Sequence, residues 1–314
     1  MPELAPIRPH LFDDLHDAFL RDDDPLFSDK AQWRRVFHYE WAHDEDHSGV
    51  ALIESGRVVG MMGMAFSTRL VRGVAHPFCN LHTWWVHPDH RSHSIMMLRP
   101  VLGMRERTLT YFTPGDRVRA LLRPLGFEPL DMRMRLLLPL WPSRAPLRGA
   151  SIAFEDEFGP SDLDGEDGRL MRDHLPYGLG HVLVREGARR CYVLYAAVER
   201  YRVRYCHIHH VGDLDLFARH EEAVRAALMR RHGVRLVALD ARRLKDWRPR
   251  RSIDFVAPAH GLYRPARNSD VGPGDIDNLY SDVAMMRLAT MPSLRHEIAE
   301  PVRKRLFPGR VRPS

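Results

Sequence analysis

The sequence predicts an α/β protein, with mixed sheets covered by helices on both faces and two pseudo-symmetric halves. Three observations carry that expectation. Strand-like and helix-like runs alternate between residues 50 and 130. The stretch LHTWWVHPDHRSHSIMML, residues 81–98, passes from a β-branched and aromatic run through a proline turn into an apolar periodic segment. After residue 169 the succession β-β-β-α-β echoes that of residues 50–112, although few residues match between the halves.

Taken in order, residues 1–48 read as helical. Leu11, Leu15, Ala18 and Phe19 share one face, and Trp33, Phe37, Tyr39 and Trp41 lie roughly on another. DDDPLFSDK breaks the two runs, with Ser28 as N-cap. Residues 50–54 and 57–66 flank Ser55-Gly56 and read as a hairpin. A strand follows over 77–86, a polar loop, a helix over 94–106 and a strand over 107–112. Thr113-Pro-Gly-Asp is a turn, 117–125 a helix ended by Gly126, and 127–138 a long strand or strand pair. PLWPSRAPLRGAS and GPSDLDGEDG read as a linker, which divides the chain into 1–140, a linker over 141–168 and 169–314. In the second half, 181–185 and 190–198 form a hairpin around Gly187. Val203, Tyr205, His207, His209 and Val211 share one strand face. Residues 213–232 form a helix capped by Asp213 and stopped by Gly233, followed by strands over 234–240 and 253–257. DIDNLYSDVAMMRL reads as a short amphipathic helix, and the last dozen residues as a basic tail.

Composition narrows the function classes. The 314 residues are 44% hydrophobic, enough for a real core, yet no run approaches the length needed to span a bilayer. The acidic N-terminus lacks an apolar signal core. Cys79, Cys191 and Cys206 are scattered, which argues against a disulfide framework and for a reducing compartment, the cytoplasm. The net charge is +6, carried almost wholly by arginine, with lysine only at 30, 245 and 304. The arginines are not interleaved with stacking aromatics. The clusters at 242–251 and 303–312 therefore read as solvated basic faces before nucleic-acid surfaces.

The loop after the 77–86 strand carries the chemistry. A loop that opens a helix offers unpaired N–H groups to an anion, and Arg91, Ser92 and Ser94 add donors. This reads as a pyrophosphate site, with His93 either a donor or a bystander. Val86-His-Pro-Asp-His-Arg91, then Ser-His-Ser-Ile, and later Leu125-Gly126-Phe127, occur in order and at ordinary spacing. In these motifs residues 50–130 resemble the GNAT superfamily of acyl-CoA N-acyltransferases, and the internal echo extends the likeness to a tandem GNAT arrangement with a degenerate second half.

The resemblance implies that the strand splays from its neighbour. It also implies that Trp85, Val86, Arg91, Ser92, His93, Ser94, Ile95 and Met96 contact the co-substrate, acetyl-CoA or another acyl-CoA. It implies direct ternary-complex transfer to an amine on a small molecule or peptide. The chain departs from the family pattern at Ser94 and Met96, which stand where small loop residues are usual, and at Leu122, where a proton-donating tyrosine often stands. The second half offers Gly212-Asp-Leu-Asp, whose carboxylates would repel a pyrophosphate, so the co-substrate belongs to the first half.

His82, on the face of Trp84 and Val86, is the candidate base, against the plainer reading of a buried strand histidine. Tyr280 is either a packed tyrosine or the missing acid. His87, His90 and His93, like His207 and His209, form no convincing metal set, and no metal is expected. Cys79 and Cys206 read as buried and inert. Two alternatives remain: a tandem-GNAT transferase using aminoacyl-tRNA, with the basic clusters on RNA, and an inactive GNAT-like binding protein.

Overall fold

The computed structural model describes residues 2–20, 29–41, 43–140, 149–244, 246–256 and 260–291. In chain order these form β1 (Glu3–Pro6), α1 (Phe12–Leu15), α2 (Lys30–Phe37), β2 (Gly49–Glu54), β3 (Arg57–Val71) and β4 (Val74–Val86). A 3-10 segment, Pro88–Met97, leads into α3 (Leu98–Gly103), β5 (Thr108–Tyr111), α4 (Asp116–Leu122), β6 (Glu128–Leu130) and β7 (Arg133–Leu137). Then come β8 (Ala150–Phe154), α5 (Gly165–His174), β9 (Gly180–Glu186), β10 (Arg189–Arg200) and β11 (Val203–Val211). The last elements are α6 (Leu214–His232), β12 (Val237–Asp240), β13 (Ser252–Val256), β14 (Gly261–Arg264) and α7 (Asp282–Met285).

Two seven-stranded mixed sheets result, ordered β1-β2-β3-β4-β5-β14-β6 and β13-β7-β12-β11-β10-β9-β8. Read from β1 and from β8, they run alike. Four antiparallel strands are followed by a parallel neighbour, β5 beside β4 and β12 beside β11. The ends are exchanged between the halves. β7, made by the first half, inserts between β12 and β13, and β14, made by the second, inserts between β5 and β6. The main hydrophobic cluster is correspondingly shared, with Phe66 and Leu81 of one sheet and Leu183, Tyr192 and Leu194 of the other. β3 is buried on both faces along most of its length because helices and the other half cover it.

Local chemistry explains the elements and the departures from expectation. Ser55 (φ 51°) and Gly56 (φ 74°) close the β2–β3 hairpin in the left-handed pair that suits strand twist. Asp213 caps α6 by accepting from Leu216 N at 2.9 Å, and Gly233 (φ 61°) ends it. The stretch 1–48 is not wholly helical, since residues 3–6 pair with β2 as an edge strand. Ser28 lies outside the described residues, and Asp29 caps α2. The helix expected over 94–106 is only Leu98–Gly103, because the Ser- and His-rich run before it tightens into 3-10 turns. Within the expected linker, residues 150–154 form β8 against β9, and α5 begins at Gly165. Of the terminal run only Asp282–Met285 is helical. It is buried all round rather than amphipathic, because both halves pack on it. The basic tail lies outside the described residues.

Candidate active site

The site begins with a defect in β4. Met61 faces Trp85 while Gly63 faces His82, so β4 carries one residue more than β3 across this stretch. Thr83, at φ 46°, takes up the extra residue as a bulge. On its other side β4 pairs with β5 only at Phe78–Thr108, Cys79–Leu109 and Asn80–Thr110. Beyond Asn80 the two strands part, and residues 81–86 have no ladder partner in β5. Trp84 and Trp85 are half-buried there and Val86 is buried, with the Phe19 ring stacked on Trp85 at 4.5 Å. Tyr111 lies where the strands separate; burial raises its phenol, and the Trp84 backbone opposes that rise.

After β4 comes the 3-10 segment. Arg91 and Ser92 are exposed, His93 and Ser94 half-buried, and Ile95 is 56% exposed. Met96 packs inward against the main core, so its bulk does not cover the backbone that a phosphate would approach. Among the described residues Arg91 has no carboxylate partner, and its guanidinium is free for an anion. The His87 and His90 rings lie 5.8 Å apart, yet each of the three loop histidines has its own polar neighbour. His87 lies near Asp89 (3.6 Å), His90 near Glu54 (3.3 Å), and His93 Nδ1 near Ser92 Oγ (3.3 Å).

His82 is placed on the α2 side of β4. Its Nδ1 lies 3.0 Å from Thr83 Oγ1, and its ring meets Phe37 edge-on at 5.2 Å. Burial lowers its pKa to about 3. Such a ring is neutral at pH 7 and a weak proton acceptor, which favours the packing reading over the base. Leu122 is fully buried. Tyr280, wedged between the halves against Trp41, donates its hydroxyl to Asp173 Oδ2 at 2.7 Å, so its proton is already committed.

Other polar residues at the parting escaped the sequence reading. Asn80, Thr110, Thr113 and Asp282 form a connected hydrogen-bond chain there. The signal available was Asn80 alone between Cys79 and Leu81, and Thr108 and Thr110 alternating with apolar residues.

The second half repeats the geometry without the loop. His209 is the extra residue where Leu194 faces His210 and Tyr195 faces Ile208, and β11 pairs with β12 only over Cys206–Ile208. The opening, lined by His209, His210, Asp240 and Arg243 among others, holds about 60 Å³, room for a water or two. Asp213, paired with Arg189, occupies the start of α6. The His207 and His209 rings lie 4.1 Å apart, tilted by 41°, with His209 Nδ1 bonded to Asn278.

The model of the Acetyltransferase (GNAT) family matches residues 12–96. No curated protein matches the sequence. Among solved structures, the chain resembles a protein of Enterococcus faecalis V583 described as a probable N-acyltransferase. The TM-score is 0.58 at 9% identity, over 85% of this chain and 73% of that one. A GCN5-related N-acetyltransferase from Anabaena variabilis gives a TM-score of 0.57 at 10% identity, over 85% and 73%. One from Kribbella flavida gives 0.56 at 15%, over 84% and 70%. At these identities the likeness is one of fold. Residues 12–96 are thus a GNAT-family region, set in a chain whose two halves share the GNAT fold.

Proposed function

We infer that the protein is an acyl-CoA-dependent N-acyltransferase that moves an acyl group, acetyl in the simplest case, directly to an amine. The observation that carries this reading is the parting of β4 from β5 beyond Asn80, with Arg91, which has no carboxylate partner among the described residues, beside it. The residues fit the co-substrate. Arg91, with Ser92 and Ser94, suits a pyrophosphate, and the inward turn of Met96 leaves the segment clear. The stretch of residues 81–86 that β5 leaves unpaired offers backbone groups to an extended pantetheine arm and to the thioester carbonyl. The second half, with its small opening and Asp213 at the start of α6, contributes walls rather than a second co-substrate site.

An RNA-dependent reaction draws little support. Within the 242–251 cluster, Arg242 pairs with Asp240, Arg243 with Asp277, Arg248 with Asp254 and Arg250 with Glu222. Arginines already paired release few counterions on binding a polyanion. No helix among the described residues is long and apolar enough to cross a membrane.

Calorimetric titration with acetyl-CoA tests the reading. The wild type is expected to bind saturably, and Arg91→Ala to bind about 10- to 100-fold more weakly, the worth of one charge-assisted phosphate contact. A folded wild type that binds neither acetyl-CoA nor a longer acyl-CoA excludes it.

A further inference from the structure

The hydrogen-bond chain at the parting of β4 and β5 ends on a carboxylate. Thr110 Oγ1 donates to Asn80 Oδ1 (3.1 Å), and Asn80 Nδ2 donates to Asp282 Oδ1 (3.0 Å). Thr113 Oγ1 donates to Asp282 Oδ2 (2.7 Å). One carboxylate oxygen is tied to β4 and the other to the residue just past β5, so the group stands astride the point where the strands separate. The backbone N–H groups of Asp282 and Val283 also hydrogen-bond to the carboxylate. Asp282 is 4% exposed, and among the described residues no ion pair holds it. Burying a carboxylate without a counter-ion is costly. The titratable group facing it is Tyr111, from β5. Asp282 lies where β4 and β5 separate, the place that the acyl thioester takes in the reading above.

We propose that Asp282 is the proton acceptor for the incoming amine, an assignment that rests on the acyl-transfer reading above. The carboxylate takes one proton from the entering ammonium and passes it to water. The freed nitrogen lone pair forms the N–C bond to the thioester carbonyl carbon. As the C–S bond breaks, the second proton shed by nitrogen goes to the departing thiolate sulfur. The products are the amide and the free thiol. Burial raises the Asp282 carboxyl above its ordinary value, against the hydrogen bonds from Thr113 and Asn80, and so strengthens it as a base.

The test pairs acetyl-CoA calorimetry with thiol release from acetyl-CoA, using benzylamine as the probe amine, from about pH 5 to 9. Asp282→Asn is expected to leave acetyl-CoA affinity within about twofold, to lower thiol release by roughly 100-fold or more, and to abolish the acidic limb of the pH profile. Thr113→Val keeps the carboxylate but removes a bond to its charged form, and is expected to move that limb to higher pH at unchanged affinity. Wild-type rates and an intact limb in Asp282→Asn overturn the assignment. If that variant does not fold, an unmoved limb in Thr113→Val overturns it. A wild type that binds acetyl-CoA but releases no thiol also overturns it, while one that binds no acyl-CoA overturns the acyl-transfer reading and this inference with it.

Discussion

Four histidines, His82, His181, His207 and His209, lie where an imidazolium would be stripped of water. Burial lowers all four, His82 to about 3, His181 and His209 to about 4, and His207 well below its ordinary value. Unfolded, each takes up a proton near pH 6.5. Below that pH the unfolded chain binds more protons than the native one, so stability is full above about 6.5 and falls as the pH drops. Glu221, pushed up to about 7, and Asp282, also raised by burial, work in the opposite direction, but His38, His43, His174 and His232, which burial lowers as well, add to the four. The urea midpoint is therefore expected to fall steadily from about pH 7 to 5, before ordinary carboxylates titrate. A midpoint that holds through that interval contradicts the account. These environments are what the sequence withholds. It shows a histidine on a strand, but not that Phe37 of α2 will close over His82. Arg91 could be proposed from sequence because the strand, turn and loop beside it are its neighbours in the chain. Asp282 could not, because its partner Asn80 is 202 residues away.

At the scale of elements, the bulge in β4 depends on a position of β3 that carries no side chain. A Cβ on Gly63 would lie 2.1 Å from His82 Cε1 and 2.5 Å from Nδ1. Gly63→Ala must displace the ring or straighten the bulge, and is expected to cost about 3 kcal/mol, read as a lower thermal midpoint. Because the same bulge shapes the stretch left unpaired by β5, acetyl-CoA affinity should fall with it; a variant as stable as the wild type would separate the bulge from the packing of His82. Hairpins and caps were readable from sequence since Ser55-Gly56, Asp213 and Gly233 act on their immediate neighbours. The helix expected over 94–106 was misjudged in length. Apolar spacing continues through Ile95, Met96 and Met97, yet the backbone there makes the tighter 3-10 turns, and Pro100 and Gly103 leave little helix beyond.

For the whole molecule, composition marks the proline- and glycine-rich stretch after residue 138 as a division between two similar halves. It does not show that the strands on either side of it belong to different sheets, because β6 and β7 differ in destination rather than in kind. The exchange makes a simple partition fail. Residues 1–140 alone would lack β14, and β5 and β6 would have no strand between them; residues 149–314 alone would lack β7 between β12 and β13. Each fragment is expected to be aggregated or poorly structured by circular dichroism and gel filtration, whereas the two co-expressed should associate and regain acetyl-CoA binding. Independent folding of the first fragment, with full affinity, would show the exchange to be dispensable.

The exchanged strands also set a timetable for synthesis. The seventh strand of the first sheet is translated more than a hundred residues after the sixth, and until it leaves the ribosome the nascent sheet carries two unsatisfied edges flanking a gap. Nor can that half shield its gap with β7, which waits for a sheet not yet made. The parting of β4 and β5 is thus among the last parts to be completed, since Asp282, which bonds to Asn80 and Thr113 there, follows β14 in the chain. A ribosome stalled anywhere before that point releases a product with exposed strand edges, a substrate for chaperones and proteases rather than a folded half.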